Sequence, residues 1–185
     1  MEREPMLDDN SPEADPVLAA AVREIEEHAA EAGWDQPSRL YALVPTADLL
    51  TREPGLAAAM GIDEASAAGS LTPVEQDHTP VDRSLEEVLG RIMWPAEVFG
   101  CAAVVERLVL PPEADDDIPD DPEAAEEFAA SHPDRQEVRI VAAATRAGST
   151  YCALRFRSHD DPISVVESPD LVPALLELLQ STLDN

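Results

Sequence analysis

The chain contains no lysine, and its twelve basic residues are all arginine. That absence excludes a P-loop lysine under a nucleotide phosphate, a Ser-Lys nucleophile pair and a Schiff-base lysine for pyridoxal phosphate. Glycine is scarce, with seven isolated residues, whereas a phosphate-cradling turn needs several close together between a strand and a helix. No nucleotide loop is expected. Cysteine is limited to Cys101 and Cys152, each inside an apolar run and without CxxC spacing, the pattern of buried reduced thiols in a cytoplasmic protein. No run approaches the roughly 18 uninterrupted apolar residues of a membrane span. The opening "MEREPMLDDNSPEADP" lacks the apolar centre of a signal peptide, so a soluble, non-exported chain is expected.

Acid is abundant. The formal charge is −27 over 185 residues, with 44% hydrophobic content. The acid therefore lies on the surface while an ordinary core remains. Such charge opposes direct binding to nucleic acid or to an anionic membrane, favours basic partners, and by itself also serves solubility. The length suits one domain with one core.

Residues 1–14 are polar and proline-containing, and are expected to form a disordered tail ahead of a single domain over 15–185. Asp15 and Pro16 open a helix whose apolar positions Val17, Leu18, Ala21, Val22, Ile25 and Ala29 run to Gly33. A strand near Arg39–Val44, a weak helical pattern over Ala47–Met60 and an edge strand at Leu71–Gln76, with Pro73 near its start, follow. Ser84 and Glu87 form a capping-box pattern ahead of Leu85, Val88, Leu89 and Ile92. Val98–Val105 is apolar at alternate and intervening positions, as in a strand covered on both faces, with Glu106 and Arg107 near solvent. The acidic insert Glu113–Glu127 then leads into a short helix at Pro122–Ala130.

Strands near Glu137–Arg146 and Thr150–Arg157 are expected to form a hairpin around Ala147, Gly148 and Ser149. An odd loop pairing Arg146 with Thr150 keeps Val138, Ile140, Ala142 and Ala144 on one face with Cys152, Leu154 and Phe156. It puts Arg139 opposite Arg157, with Arg155 on the same face. A final helix from about Asp170, with Pro173 in its first turn, carries Leu171, Leu175, Leu176, Leu178, Leu179 and Leu183. The predicted fold class is α+β: one domain, a largely antiparallel sheet and helices packed on it.

The chemistry-bearing constellations are weak. If Asp115 opened a calcium loop, Pro119 would stand at the fifth position and Asp120 where glycine is needed, so a solvated loop is expected and no metal site. His28, His78, His132 and His159 are scattered, and there is no HExxH or GxSxG. No catalytic residue and no cofactor is expected. The arginine face of Arg139, Arg155 and Arg157 is the one candidate interaction surface. Three guanidiniums there could bind an external carboxylate or phosphate, or be neutralised by the chain's own acid, with Glu106 or the helix after Pro122 as donor.

Four stretches, "GWDQPSRLYALVPTADLL", "WPAEVFGCAAVVERLVLPP", "EVRIVAAATRAGSTYCALRFR" and "DLVPALLELLQSTL", together resemble an uncharacterised actinobacterial family of acidic cytoplasmic proteins. The resemblance spans nearly the whole chain after Asp15 and implies no activity, cofactor or catalytic residue. In layout the element order also resembles small α+β chaperone-like domains such as secretion-chaperone folds. The expectation is a non-enzymatic cytoplasmic adaptor or chaperone-like protein-binding domain. The alternative is an enzyme or small-anion binder using the Arg139, Arg155 and Arg157 face. Partner identity and oligomeric state stay open.

Overall fold

The structure, a computed structural model, describes residues 14–67, 69–76 and 83–184. Most of the expected 1–14 tail lies outside the described residues. The acidic insert and the final helix lie within them.

Six strands form one antiparallel sheet in the order β2-β1-β3-β4-β5-β6. They are β1 (Arg39–Pro45), β2 (Leu71–Glu75), β3 (Gly100–Val109), β4 (Gln136–Thr145), β5 (Thr150–Phe156) and β6 (Val166–Ser168). Helix α1 (Pro16–Ala32) covers one face. Helices α5 (Leu85–Leu89) and α7 (Pro173–Leu183) cover the other. The α+β expectation is met, and the central strands are apolar on both faces because both faces are covered. Ala102, Val104, Val141 and Ala143 meet Leu18, Val22 and Ile25 of α1. Cys101, Ala103, Ile140 and Ala142 share the opposite core with Leu89, Trp94, Leu176 and Leu179.

Helix α1 starts where its residues dictate. Asp15 accepts the amides of Val17 and Leu18, Pro16 occupies the first turn, and Gly33 ends the helix at φ 83°. The weak pattern over 47–60 resolves into α2 (Thr46–Arg52) and α3 (Pro54–Ala59), because Pro54 cannot continue α2. A further turn, α4 (Glu64–Ala67), precedes β2. The Ser84 and Glu87 capping box forms as expected, but α5 ends at Leu89 rather than running on to Pro95. Helix α6 (Pro122–Ser131) matches its expected span, with the Asp121 carboxylate accepting the Ala124 amide. Within the acidic insert, residues Pro112–Asp117 form a 3-10 turn that buries Ala114.

Three strand expectations are corrected. Strand β3 does not end at Val105: Glu106 to Val109 continue it, paired with β4 beyond the reach of β1. Strand β6 was not anticipated, since three residues at a sheet edge carry too short a pattern. The hairpin register is shifted by two. Thr145 pairs with Ser149 through its amide, the loop is Arg146 to Gly148, and Arg139 lies opposite Arg155 rather than Arg157. A shift of two preserves every face, so hydrophobic alternation cannot detect it. Gly148 decides the matter, because its φ of 88° suits the last position of a three-residue loop.

That shift releases Arg146 from the ladder. Its guanidinium donates to the carbonyls of Val98 (2.8 Å), Trp94 (3.0 Å), Pro95 (3.1 Å) and Leu183. One side chain thus ties the hairpin tip to the end of α7 and to the segment entering β3.

Both cysteines are buried and free. The Cys101 thiol donates to the Leu179 carbonyl at 3.6 Å, and burial pushes its pKa up to about 11, with smaller opposing contributions from Thr182, Trp94 and Arg146. Burial raises that of Cys152 as well. Since the thiolate is the reactive form, labelling by a disulfide reagent near pH 8 should be slower in the native protein than in the unfolded chain by at least about 100-fold. Native labelling as fast as unfolded would show that these strands open freely.

Candidate functional site

Arg139 and Arg155 sit side by side on the sheet face beneath α1, and Glu106 of β3 lies directly across from Arg139. Like charges in adjacent strands repel, so each requires a counter-charge or an electron-rich neighbour. The fold supplies both. Glu26 of α1 receives the Arg155 guanidinium through two bonds, Nε to Oε1 at 2.5 Å and Nη2 to Oε2 at 3.0 Å. The pair is almost wholly buried, with side chains 5% and 6% exposed. Asp160, half-exposed, takes the third bond at 3.1 Å. These bonds, Glu26 first, hold the Arg155 pKa above its ordinary value.

Arg139 has a different environment. One Nη donates to the Gly33 carbonyl, the other has no partner among the described residues, and the Trp34 ring lies 4.3 Å from its guanidinium carbon. Burial lowers its pKa, while Glu106 and then Glu26 act in the opposite direction. Glu106 itself accepts the amides of Asp35 and Gln36, both at 2.8 Å, and so fixes the loop that carries Trp34. Asp35 there adopts φ 63°, the left-handed region that aspartate tolerates better than most residues.

Arg157 is partly exposed. It bonds Asp35 at 3.0 and 3.2 Å and Glu137 at 2.7 Å, and these partners hold its pKa well above the ordinary value. The three arginines anticipated as one face are thus brought together, and the carboxylates facing them come from the same chain. Of the anticipated donors, Glu106 is adjacent, whereas no bond from the helix after Pro122 reaches the cluster among the described residues. Glu26 was missed, although the sequence held a signal for it: a carboxylate four residues after Val22 and three before Ala29 falls inside the buried stripe of α1.

Trp34 closes the cluster and reports on it. Its indole donates to Asp160 at 3.0 Å, and this bond, followed by those to Arg155, holds the Asp160 carboxyl below its ordinary value of 3.8. A depressed carboxyl pKa gives stability that is present above 3.8 and lost as pH falls through the lower folded value. Trp34 emission should therefore change in that acid range, and Asp160→Asn should remove the transition. An unchanged transition in that variant would assign it to another group.

A hollow of about 120 Å³ opens beside Trp34, Asp35, Glu106, Glu137 and Arg157. Its polar groups already bond one another. Among the described residues no three His, Cys, Asp or Glu side chains converge as metal ligands. No helix there is long and apolar enough to cross a membrane.

The larger hollows lie elsewhere, between α1 and the edge strand β2. One of about 240 Å³ is walled by Val17, Ala20, Ala21, Glu24 and Leu71. The next, about 290 Å³, is walled by Glu24, Ile25, His28, Tyr41, Met60 and Val74. Both are open and mainly apolar, and sequence reasoning missed them because they depend on how α1 lies against β2. Tyr41 is 4% exposed, and its hydroxyl has Arg39 as a neighbour. Its pKa is raised, chiefly by burial.

No curated protein and no solved structure matches the chain. One protein family does, over residues 18–184, from the first turn of α1 to the end of α7, so that the sheet, the arginine cluster and the larger α1–β2 hollow fall within it. The chain belongs to the PPA1309-like protein family.

Proposed function

We propose that the chain is a non-enzymatic protein-binding domain of the adaptor or chaperone-like kind, acting in the cytoplasm on a basic partner. The observation that carries this reading is the distribution of satisfied and open surface. Arg155 and Arg157 bond carboxylates of their own chain, while the concave surface along α1 and β2 is open and mainly apolar. Small-molecule sites instead gather a few convergent polar groups in an enclosed cavity. A net charge of −27 directs association towards cationic partners and away from nucleic acid and anionic lipid.

The second reading, a small-anion binder or enzyme at Arg139, Arg155 and Arg157, draws its support from one atom, the unpartnered Nη1 of Arg139. Affinity capture from the native cell, followed by rebinding of the purified components, separates the two. Protein binding predicts a stoichiometric protein partner that rebinds the isolated chain. Retention of a small anion alone, seen by native mass spectrometry and displaced by phosphate, would favour the second reading.

A further inference from the structure

We infer that the groove between α1 and β2 receives an extended partner segment in which an arginine or lysine stands between two apolar side chains. This rests on the protein-binding reading and adds the site and the chemistry of its occupant. The two hollows share one wall residue, Glu24, with the Ala20 and Leu71 hollow on one side and the Ile25 and Met60 hollow on the other. Pro16 to His28 is about 18 Å of helix at 1.5 Å per residue. An extended segment of about six residues at 3.3 Å each covers the same length. Alternate side chains of such a segment point the same way, so apolar, basic and apolar groups at every second position meet hollow, Glu24 and hollow.

The charges agree. Glu24 has no ion pair among the described residues, and its carboxyl pKa is raised by loss of hydration first and by Glu27 second, with His28 acting in the opposite direction. Glu75, at the far end, has among the described residues one long ion-pair contact, of 3.9 Å with Arg39. The hydroxyl of Tyr41 adds a polar group to the wall of the larger hollow.

The edge strand indicates the docking mode. The Gln76 amide bonds the Leu40 carbonyl and the Thr46 amide bonds the Ser70 carbonyl, which fixes the alternation: Thr72 and Val74 turn their backbone groups towards β1, and Leu71, Pro73 and Glu75 turn theirs outward. Proline therefore stands at the centre of the open edge and offers no amide there, which blocks continuous strand addition. Recognition falls to side chains in the groove. Residues 1–13, a possible occupant from within the chain, carry five carboxylates and one arginine, the wrong sign for Glu24 and Glu75. A second copy of so acidic a chain has the same defect.

The test is a heteronuclear NMR titration of the full chain with Ac-Leu-Ser-Arg-Ser-Leu-NH2. Saturable shifts should map to α1 and β2. Replacing the peptide's arginine by glutamate, or both leucines by serine, should weaken binding at least tenfold, and Glu24→Arg should do the same. Met60→Asp, an exposed change in the other hollow, should also weaken it, so the result does not hang on one variant. Equal affinity for the glutamate peptide, shifts centred on another surface, or no saturable binding would overturn the inference. A captured protein partner that still binds Glu24→Arg at full affinity would overturn the groove assignment while leaving the protein-binding reading intact.

Discussion

Glu26→Ala is expected to lower the unfolding free energy by about 3–5 kcal/mol, the range for removing one partner of a buried ion pair. The loss arises less from missing attraction than from the cation left behind. Arg155 is 4% exposed, and Glu26 accepts two of its three side-chain bonds to carboxylates. Asp160, half-exposed, cannot replace both. Replacing the whole pair, Glu26→Leu with Arg155→Met, should recover most of the loss, because it removes the buried charge together with its partner. Urea unfolding of the wild type, Glu26→Leu, Arg155→Met and the double variant measures the coupling. Additive losses would show that Glu26 and Arg155 do not depend on one another in the folded protein.

Arg146→Ala is expected to cost about 3 kcal/mol, on the scale of 1.5–3 kcal/mol for each bond to a charged group after partial replacement by water. Its carbonyl partners belong to three separate segments, at Trp94 and Pro95, at Val98 and at Leu183. The effect should therefore be seen first as faster amide exchange at the end of α7 and at the start of β3. Arg146→Lys should recover only part of it, since an ammonium cannot reach in several directions from one plane. Uniform destabilisation without a local change in exchange would contradict the tying role.

Much of this was legible along the chain, and the rest fails for identifiable reasons. Helix α1 could be read from Asp15, Pro16 and Gly33 because capping and termination are local. The shared face of Arg139, Arg155 and Arg157 could be read because alternation survives any even shift of register. The pairing itself could not, because it depends on where Gly148 sits in its loop and on carbonyls that draw Arg146 away. Strand β3 was cut short because Glu106 and Arg107 resemble an exit to solvent. In the fold, Glu106 turns back to the Asp35 and Gln36 amides and Arg107 to Glu86. The neutralising carboxylate was the least legible feature, since Glu26 and Arg155 are 129 residues apart. Only the position of an acid inside an apolar stripe pointed to it.

The chain thus has two contrasting surfaces: an arginine cluster that its own acid neutralises, and an open apolar groove with Glu24 between its two hollows. Arg157 is the cluster residue whose change leaves the fold in place, because its partners Asp35 and Glu137 are exposed and hydrated. The most direct measurement is the dissociation constant of the captured partner for the wild type, Arg157→Ala and Met60→Asp at one salt concentration. The account predicts that Arg157→Ala binds as the wild type does and Met60→Asp binds at least tenfold more weakly. Loss of binding in Arg157→Ala with full binding in Met60→Asp would contradict it and return the function to the arginine face.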